Sequence, residues 1–220
     1  MQTNEQNTQI TENKQLTETV KQIRRLIAGS MDGITATTMR QKGLIYKQNF
    51  GVALPRLREI ARQFTPDTAL SEYLLQTAGR ETQIVGLLLM PAKQLTTEAA
   101  RHLATTLQTT ELAEIASMTL FCHLNDIDQF LTQLITSRHQ WQLLTACCTA
   151  TRALQRLKPC SLEMLFHAIA DTDIDMATAN AAYTLLQHLH DHDADTGHHC
   201  IDSLAHSPHA LCQRIAALMA

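Results

Sequence analysis

Between His188 and His209 the sequence places seven histidines, with Asp191, Asp193, Asp195 and Cys200 among them. His188 and His192 stand four apart and could share a helix face, as zinc ligands often do. None of the recognised zinc spacings is present, so no metal site is expected. The six cysteines (Cys122, Cys147, Cys148, Cys160, Cys200 and Cys212) form no CxxC pair and no disulfide-framework spacing. Most fall at apolar positions, which predicts reduced, buried thiols in a cytoplasmic protein. The sequence has no Walker A loop, no GxGxxG after a strand, no GxSxG and no HExxH. Phosphoryl transfer, dinucleotide chemistry and serine or zinc hydrolysis are therefore without support, and no cofactor is expected. What stands out instead is charge. From Lys14 to Arg62 there are 10 basic and 3 acidic residues. Residues 1–110 carry 13 Lys and Arg against 9 Asp and Glu, and residues 111–220 carry 5 against 12. A basic third offers a face to a polyanion, although solvated helix faces also vary in sign.

The elements that must position these residues read almost wholly as helix. The chain has 220 residues with only 7 glycines, 5 prolines and 4% aromatics, which disfavours turn-rich all-β folds. Leu16, Val20, Ile23 and Ile27 recur at helical spacing before Gly29. Ile34 to Lys42 is a second helix, residues 44–54 a loop containing Gly51, and Pro55 the first turn of a third. Thr65-Pro66-Asp67 reads as a capping hydroxyl, a first-turn proline and an acid at the positive helix end. Ser207-Pro208 repeats that signature for the last helix. About a dozen short helices with short connections predict an all-α chain of antiparallel helix pairs stacked in series, an α-solenoid of HEAT or armadillo type. Residues 1–12 are expected to form a flexible tail and residues 13–220 a single domain. No apolar run approaches the roughly 20 residues of a membrane span.

The most distinctive stretch runs from Met39 to Pro91. It reads Met39-Arg40-Gln41-Lys42-Gly43-Leu44-Ile45-Tyr46-Lys47, then Asn49-Phe50-Gly51-Val52, then Pro55-Arg56-Leu57-Arg58-Glu59-Ile60-Ala61. Gly79-Arg80-Glu81 and the apolar residues 84–90 follow. This stretch resembles the DNA alkylation repair family of alkylpurine DNA glycosylases, in its YGV-x-x-P-x-L-R-x-I-A pattern and in the R-E that opens a later helix. The resemblance implies HEAT-like repeats curved around a basic groove that grips duplex DNA by its phosphates. It also implies hydrolysis of the N-glycosidic bond of cationic N3- or N7-alkylated purines. Such a purine is already a good leaving group, so a carboxylate and aromatic faces beside the sugar suffice to stabilise the transition state.

Three features of the family's site are altered here. Its catalytic helix has a tryptophan followed four residues later by an aspartate, whereas the matching helix is Thr110-Glu111-Leu112-Ala113-Glu114-Ile115-Ala116-Ser117. Glu114 is the nearest carboxylate. A second helix reads W-x-x-R in the family and Trp141-Gln142-Leu143-Leu144 here. A third has a tryptophan and an arginine where this chain offers Tyr183 and Gln187. The catalytic candidates are thus Glu114, Trp141 and Tyr183, each with a plain structural reading as a first-turn acid or a packing ring. The DNA-contact candidates are Lys42, Lys47, Asn49, Arg56 and Arg62, around a glycine-bearing loop. Arg58 and Arg80 are expected to turn inward toward the neighbouring acids Glu59 and Glu81. Three functions fit these residues: a duplex-DNA-binding member with degenerate chemistry, an active glycosylase with a relocated site, or a protein-interaction scaffold.

Overall fold

Aspartates, threonines and prolines cut the chain into helices at the positions where each side chain satisfies free backbone N–H groups. The computed structural model describes residues 2–44 and 46–219, with side chains from Lys14 onward. The helices among these residues are α1 (Gln2–Ala28), α2 (Gly33–Gln41), α3 (Leu54–Ala61), α4 (Thr68–Leu75), α5 (Arg80–Leu89), α6 (Thr97–Thr106), α7 (Thr110–Thr119), α8 (Ile127–Thr136), α9 (Gln140–Ala153), α10 (Pro159–Ala170), α11 (Met176–His192), α12 (Ala194–Ala205) and α13 (Ala210–Met219). No strand forms among the described residues, which hold only an isolated bridge between Gln48 and Gly79. The expected tail over residues 1–12 involves Met1 and side chains that lie outside the described residues. The backbone from Gln2 is part of α1.

Caps sit where the physics asks for them. Asp32 accepts from the N–H groups of Ile34 and Thr35, Thr96 from Ala99, Thr109 from Leu112, Asp175 from Thr178, and Asp193 from Thr196. Two expected caps differ. Asp67, not Thr65, caps α4 through the N–H of Leu70, because Pro66 stands outside the helix. Ser207 donates to the Ala170 carbonyl and accepts from the His209 N–H, and α13 begins only at Ala210.

The chain divides into two compact units, Met1–Pro91 and Ala92–Ala220. In the first, α5 is the hub. It packs on α1, α3 and α4, and eight of its ten residues are buried, the charged Arg80 and Glu81 among them. Ile23, Ile27, Leu57, Ile60, Leu74, Ile84 and Leu87 form its core. Gly86 lets α4 approach closely, since a Cβ there would stand 3.0 Å from the Ser71 carbonyl oxygen.

In the second unit successive helices alternate between two layers. One layer stacks α6, α8, α10 and α12, and the other stacks α7, α9, α11 and α13. Helix α9 lies between α7 and α11 and is buried without a break over residues 143–150. Its small side chains permit this: Thr145 bonds back to the Trp141 carbonyl at 2.7 Å, and Thr149 donates to the Ser117 hydroxyl of α7 at 3.0 Å. Buried hydroxyls are thereby satisfied rather than stranded. All six cysteines are unpaired. Cys147, Cys148, Cys200 and Cys212 are buried as expected, but Cys160 is exposed and Cys122 only half-buried, because both fall beside helix starts or turns.

Candidate nucleic-acid interface

The loop between α2 and α3 is shaped by charge buried on α5. Arg80 and Glu81 are 2% and 1% exposed, and their side chains meet at 3.0 Å. The Arg80 guanidinium also donates to the Val52 carbonyl at 2.9 Å. The Glu81 carboxylate accepts from the backbone N–H groups of Phe50 at 3.1 Å and Val52 at 3.3 Å. The Arg80 N–H donates to the Gln48 carbonyl at 2.9 Å. One buried ion pair therefore holds the whole segment from Gln48 to Val52. Gly51 completes it at φ +72°, where an added Cβ would stand 2.1 Å from the Asp32 carbonyl oxygen and 2.6 Å from the Ala36 nitrogen. Only glycine fits there.

This frame presents the expected DNA-contact residues unequally. Lys42 is the exposed C-cap of α2, and Lys47 is exposed on the clamped loop. Asn49 is spent within the turn: its Oδ1 accepts from the Gly51 N–H at 2.8 Å and its Nδ2 lies 3.6 Å from Met39 Sδ. Arg56 is exposed but already braced, by Ser30 Oγ at 3.1 Å and Glu59 at 2.9 Å. Arg62, the C-cap of α3, is exposed. Arg56 and Arg62 point about a third of a turn apart on α3. Arg62 instead shares a face with Arg58, and the two line one cavity. Arg58, expected to turn inward, is half-buried, and its i, i+4 spacing from Arg62 accounts for the shared face.

The catalytic candidates lie in the second unit on α7, α9 and α11. Trp141 packs against Ala113, Leu144 and Cys148, with Ala181 of α11 beside it. Glu114 is exposed on α7 next to the same patch. Burial first, and the Glu114 charge second, push the Cys148 thiol up to about 11. Glu114 and Trp141 thus border one patch. Tyr183 is two residues beyond Ala181, about 200° around the helix, and so faces away from it. Its hydroxyl accepts from Gln187 Nε2 at 3.0 Å. Among the C-terminal histidines, His190 and His198 stack edge to face at 5.3 Å, and His199 meets Glu163 at 3.2 Å. No group of three or more His, Cys, Asp or Glu that could hold a metal occurs among the described residues.

The model of a family described as DNA alkylation repair enzyme matches residues 23–176. The chain belongs to that family. No curated protein matches the chain. A solved structure, described as one of a new family of proteins related to the HEAT-like repeat DNA glycosylases with affinity for branched DNA structures, is similar over 90% of this chain and 93% of its own. The TM-score is 0.68 and the identity 13%. The fold is accordingly an all-α solenoid of HEAT-like repeats. The span matched by the DNA alkylation repair model takes in the clamped loop, Arg80, Glu81, Glu114 and Trp141, and ends at Met176, before Tyr183. Of the residues that carry the resemblance, Phe50, Gly51, Val52, Arg80 and Glu81 belong to the buried clamp. None of the described helices is long and apolar enough to cross a membrane.

Proposed function

We propose that this member of the DNA alkylation repair family binds DNA through basic residues of its first unit and has lost alkylpurine excision. One contrast carries the reading. The residues that shape the loop are all in place, while α7 has neither aromatic residue nor aspartate and offers only the two glutamates Glu111 and Glu114. Trp141, which borders the same patch as Glu114, is held in apolar packing. An oxocarbenium-like sugar needs a carboxylate and an aromatic face presented together, and a ring held in apolar packing does not present its face beside the carboxylate.

Charge supports the choice of unit. Residues 1–91 carry 11 Lys and Arg against 8 Asp and Glu, and residues 92–220 carry 7 against 13. Lys42, Lys47, Arg56 and Arg62 supply sequence-independent phosphate contacts, which position a duplex without reading its bases. Asn49 serves by holding the loop that carries Lys47. The affinity for branched DNA described for the similar structure makes junctions and distorted duplexes the first ligands to try. A cytoplasmic setting is part of the proposal, since six cysteines without framework spacing suit a reducing compartment.

The test has two arms. Binding is measured to a linear duplex, a duplex with an abasic-site analogue and a four-way junction, and base release is measured from methylated DNA. Tighter binding to the distorted ligands without base release is expected. Release of methylpurine, lost in Glu114→Gln, would establish the glycosylase reading instead. The scaffold reading has one observation in its favour: Met31 and Ile34 are 63% and 83% exposed beside the α2 N-terminus. Failure to bind any DNA at low salt would turn attention to a protein partner there.

A further inference from the structure

The turn between α1 and α2 holds two large apolar side chains, Met31 and Ile34, out in water. Packing does not account for them, since Ala36 alone among the nine residues of α2 is buried. The turn itself is tightly fastened. The Asp32 N–H donates to the Phe50 carbonyl at 2.9 Å. The Asp32 carboxylate accepts from the N–H groups of Ile34 at 3.0 Å and Thr35 at 3.1 Å, and from the Thr35 hydroxyl at 2.6 Å. Gly51 lies directly against the Asp32 carbonyl and the Ala36 nitrogen. On the other side, Ser30 Oγ donates to the Leu26 carbonyl at 2.9 Å and accepts from Arg56 Nε at 3.1 Å. The Arg80–Glu81 clamp thus reaches this turn through Phe50, and the apolar pair stands on a fixed footing.

Charge selects the partner. Residues 24–56 hold six Lys and Arg against one acid, Asp32, whose carboxylate is turned onto the first turn of α2. Arg56 is bonded to the turn through Ser30, and Lys47 belongs to the loop whose Phe50 carbonyl holds Asp32. A stable protein interface covers about 800 Å² on each side, far more than two side chains beside the exposed Gly33, Thr37 and Thr38 provide. A wedge between stacked bases, by contrast, consists of just such apolar side chains set among cations. We propose that Met31 and Ile34 enter a base step of bound DNA as a wedge and kink the duplex there, while Lys47 and Arg56 hold neighbouring phosphates. The inserted side chains replace part of the lost stacking with their own apolar contact. A turn already fastened loses little freedom on insertion, so more of that contact appears as affinity. A step loosened by a mismatch, a nick or a junction opens more readily than a regular one. The inference rests on the DNA-binding reading and adds to it how the first unit tells distorted DNA from regular duplex.

The experiment compares two duplexes that differ by one central mismatch, each with 2-aminopurine beside that position and a dye pair on its ends. They are bound by the full chain, by the double variant Met31→Ala with Ile34→Ala, and by Ile34→Leu. The parent should bind the mismatched duplex about five- to tenfold more tightly, because a mismatched base leaves its stack more easily. The 2-aminopurine should brighten as it unstacks, and energy transfer between the ends should rise as the duplex kinks. The double variant should bind the matched duplex within about twofold of the parent, since every cation remains. It should lose the preference, the brightening and the rise in transfer together. Ile34→Leu keeps the apolar volume and should retain all three. These are exposed positions, so thermal midpoints should stay close to the parent's and show that the variants fold. Equal binding of both duplexes by the parent, with unchanged fluorescence, overturns the inference while leaving DNA binding intact. A double variant that keeps the preference also overturns it and leaves the pair to a protein partner. So does a double variant that loses both duplexes equally. If the parent binds neither duplex, the DNA-binding reading itself has failed, and the wedge with it.

Discussion

Glu81→Gln tests whether the Arg80–Glu81 pair is the clamp of the first unit. The substitution keeps the shape and removes the carboxylate charge that faces the Arg80 guanidinium, 2% exposed, at 3.0 Å. A single amide oxygen then replaces a carboxylate that accepted from Phe50 and Val52. Breaking a buried pair by removing one partner costs about 3–5 kcal/mol. Domains have roughly 5–15 kcal/mol of stability, so the loss is a large part of the whole. With a urea dependence of about 2 kcal/mol per molar, the midpoint should fall by roughly 1.5–2.5 M. Trp141 lies in the second unit and the pair in the first, so two probes separate the effects. Far-UV circular dichroism should lose helix before Trp141 fluorescence changes. A Glu81→Gln stability within about 0.5 kcal/mol of the parent, the scatter of ordinary surface changes, would refute the clamp.

Other consequences are checkable with small experiments. Gly51→Ala meets the Asp32 carbonyl and forces a left-handed backbone on a residue with a Cβ, so thermal scans should show a loss of about 1–3 kcal/mol or more. Burial pushes the thiols of Cys147, Cys148 (to about 11) and Cys200 (to about 12) upward, so at pH 8 a disulfide reagent should titrate Cys160 first. Cys160→Ser should remove that fast equivalent. Hydrogen bonds from Thr35 and Thr196 lower the carboxyl groups of Asp32 and Asp193. Their contribution is full above about pH 4 and is lost as pH falls through the lowered folded-state values. Thr35→Val and Thr196→Val should therefore lower Tm at neutral pH, with the difference from the parent closing in acid.

Helices were legible wherever local rules decide. The spacing of Val20, Ile23 and Ile27 gave α1, and Pro55 opened α3, because capping and periodicity act within about four residues. The clamp was only half legible. Arg80 and Glu81 announced themselves as acid and base near an apolar run, but their partners lie about 30 residues away, across a fold that no local rule encodes. Asn49 looked like a phosphate contact because a loop asparagine serves either purpose, and only the closed turn shows its amide engaged. Trp141 and Glu114 came together because α7 packs on α9. Tyr183 did not join them because the side of α11 that meets α9 carries Ala181. Arg58, one turn from Arg62, is half-buried, and a half-buried arginine beside apolar residues reads equally as core or surface.

The most direct test of DNA binding through the first unit is the salt dependence of affinity for a four-way junction. The parent is compared with a variant in which Lys42, Lys47, Arg56 and Arg62 are all alanine. Log K should fall linearly with log salt for the parent, and the slope should shrink by about 0.9 for each phosphate contact removed, up to roughly 3–4 in all. An affinity indifferent to salt, or a slope unchanged in the variant, would contradict the account.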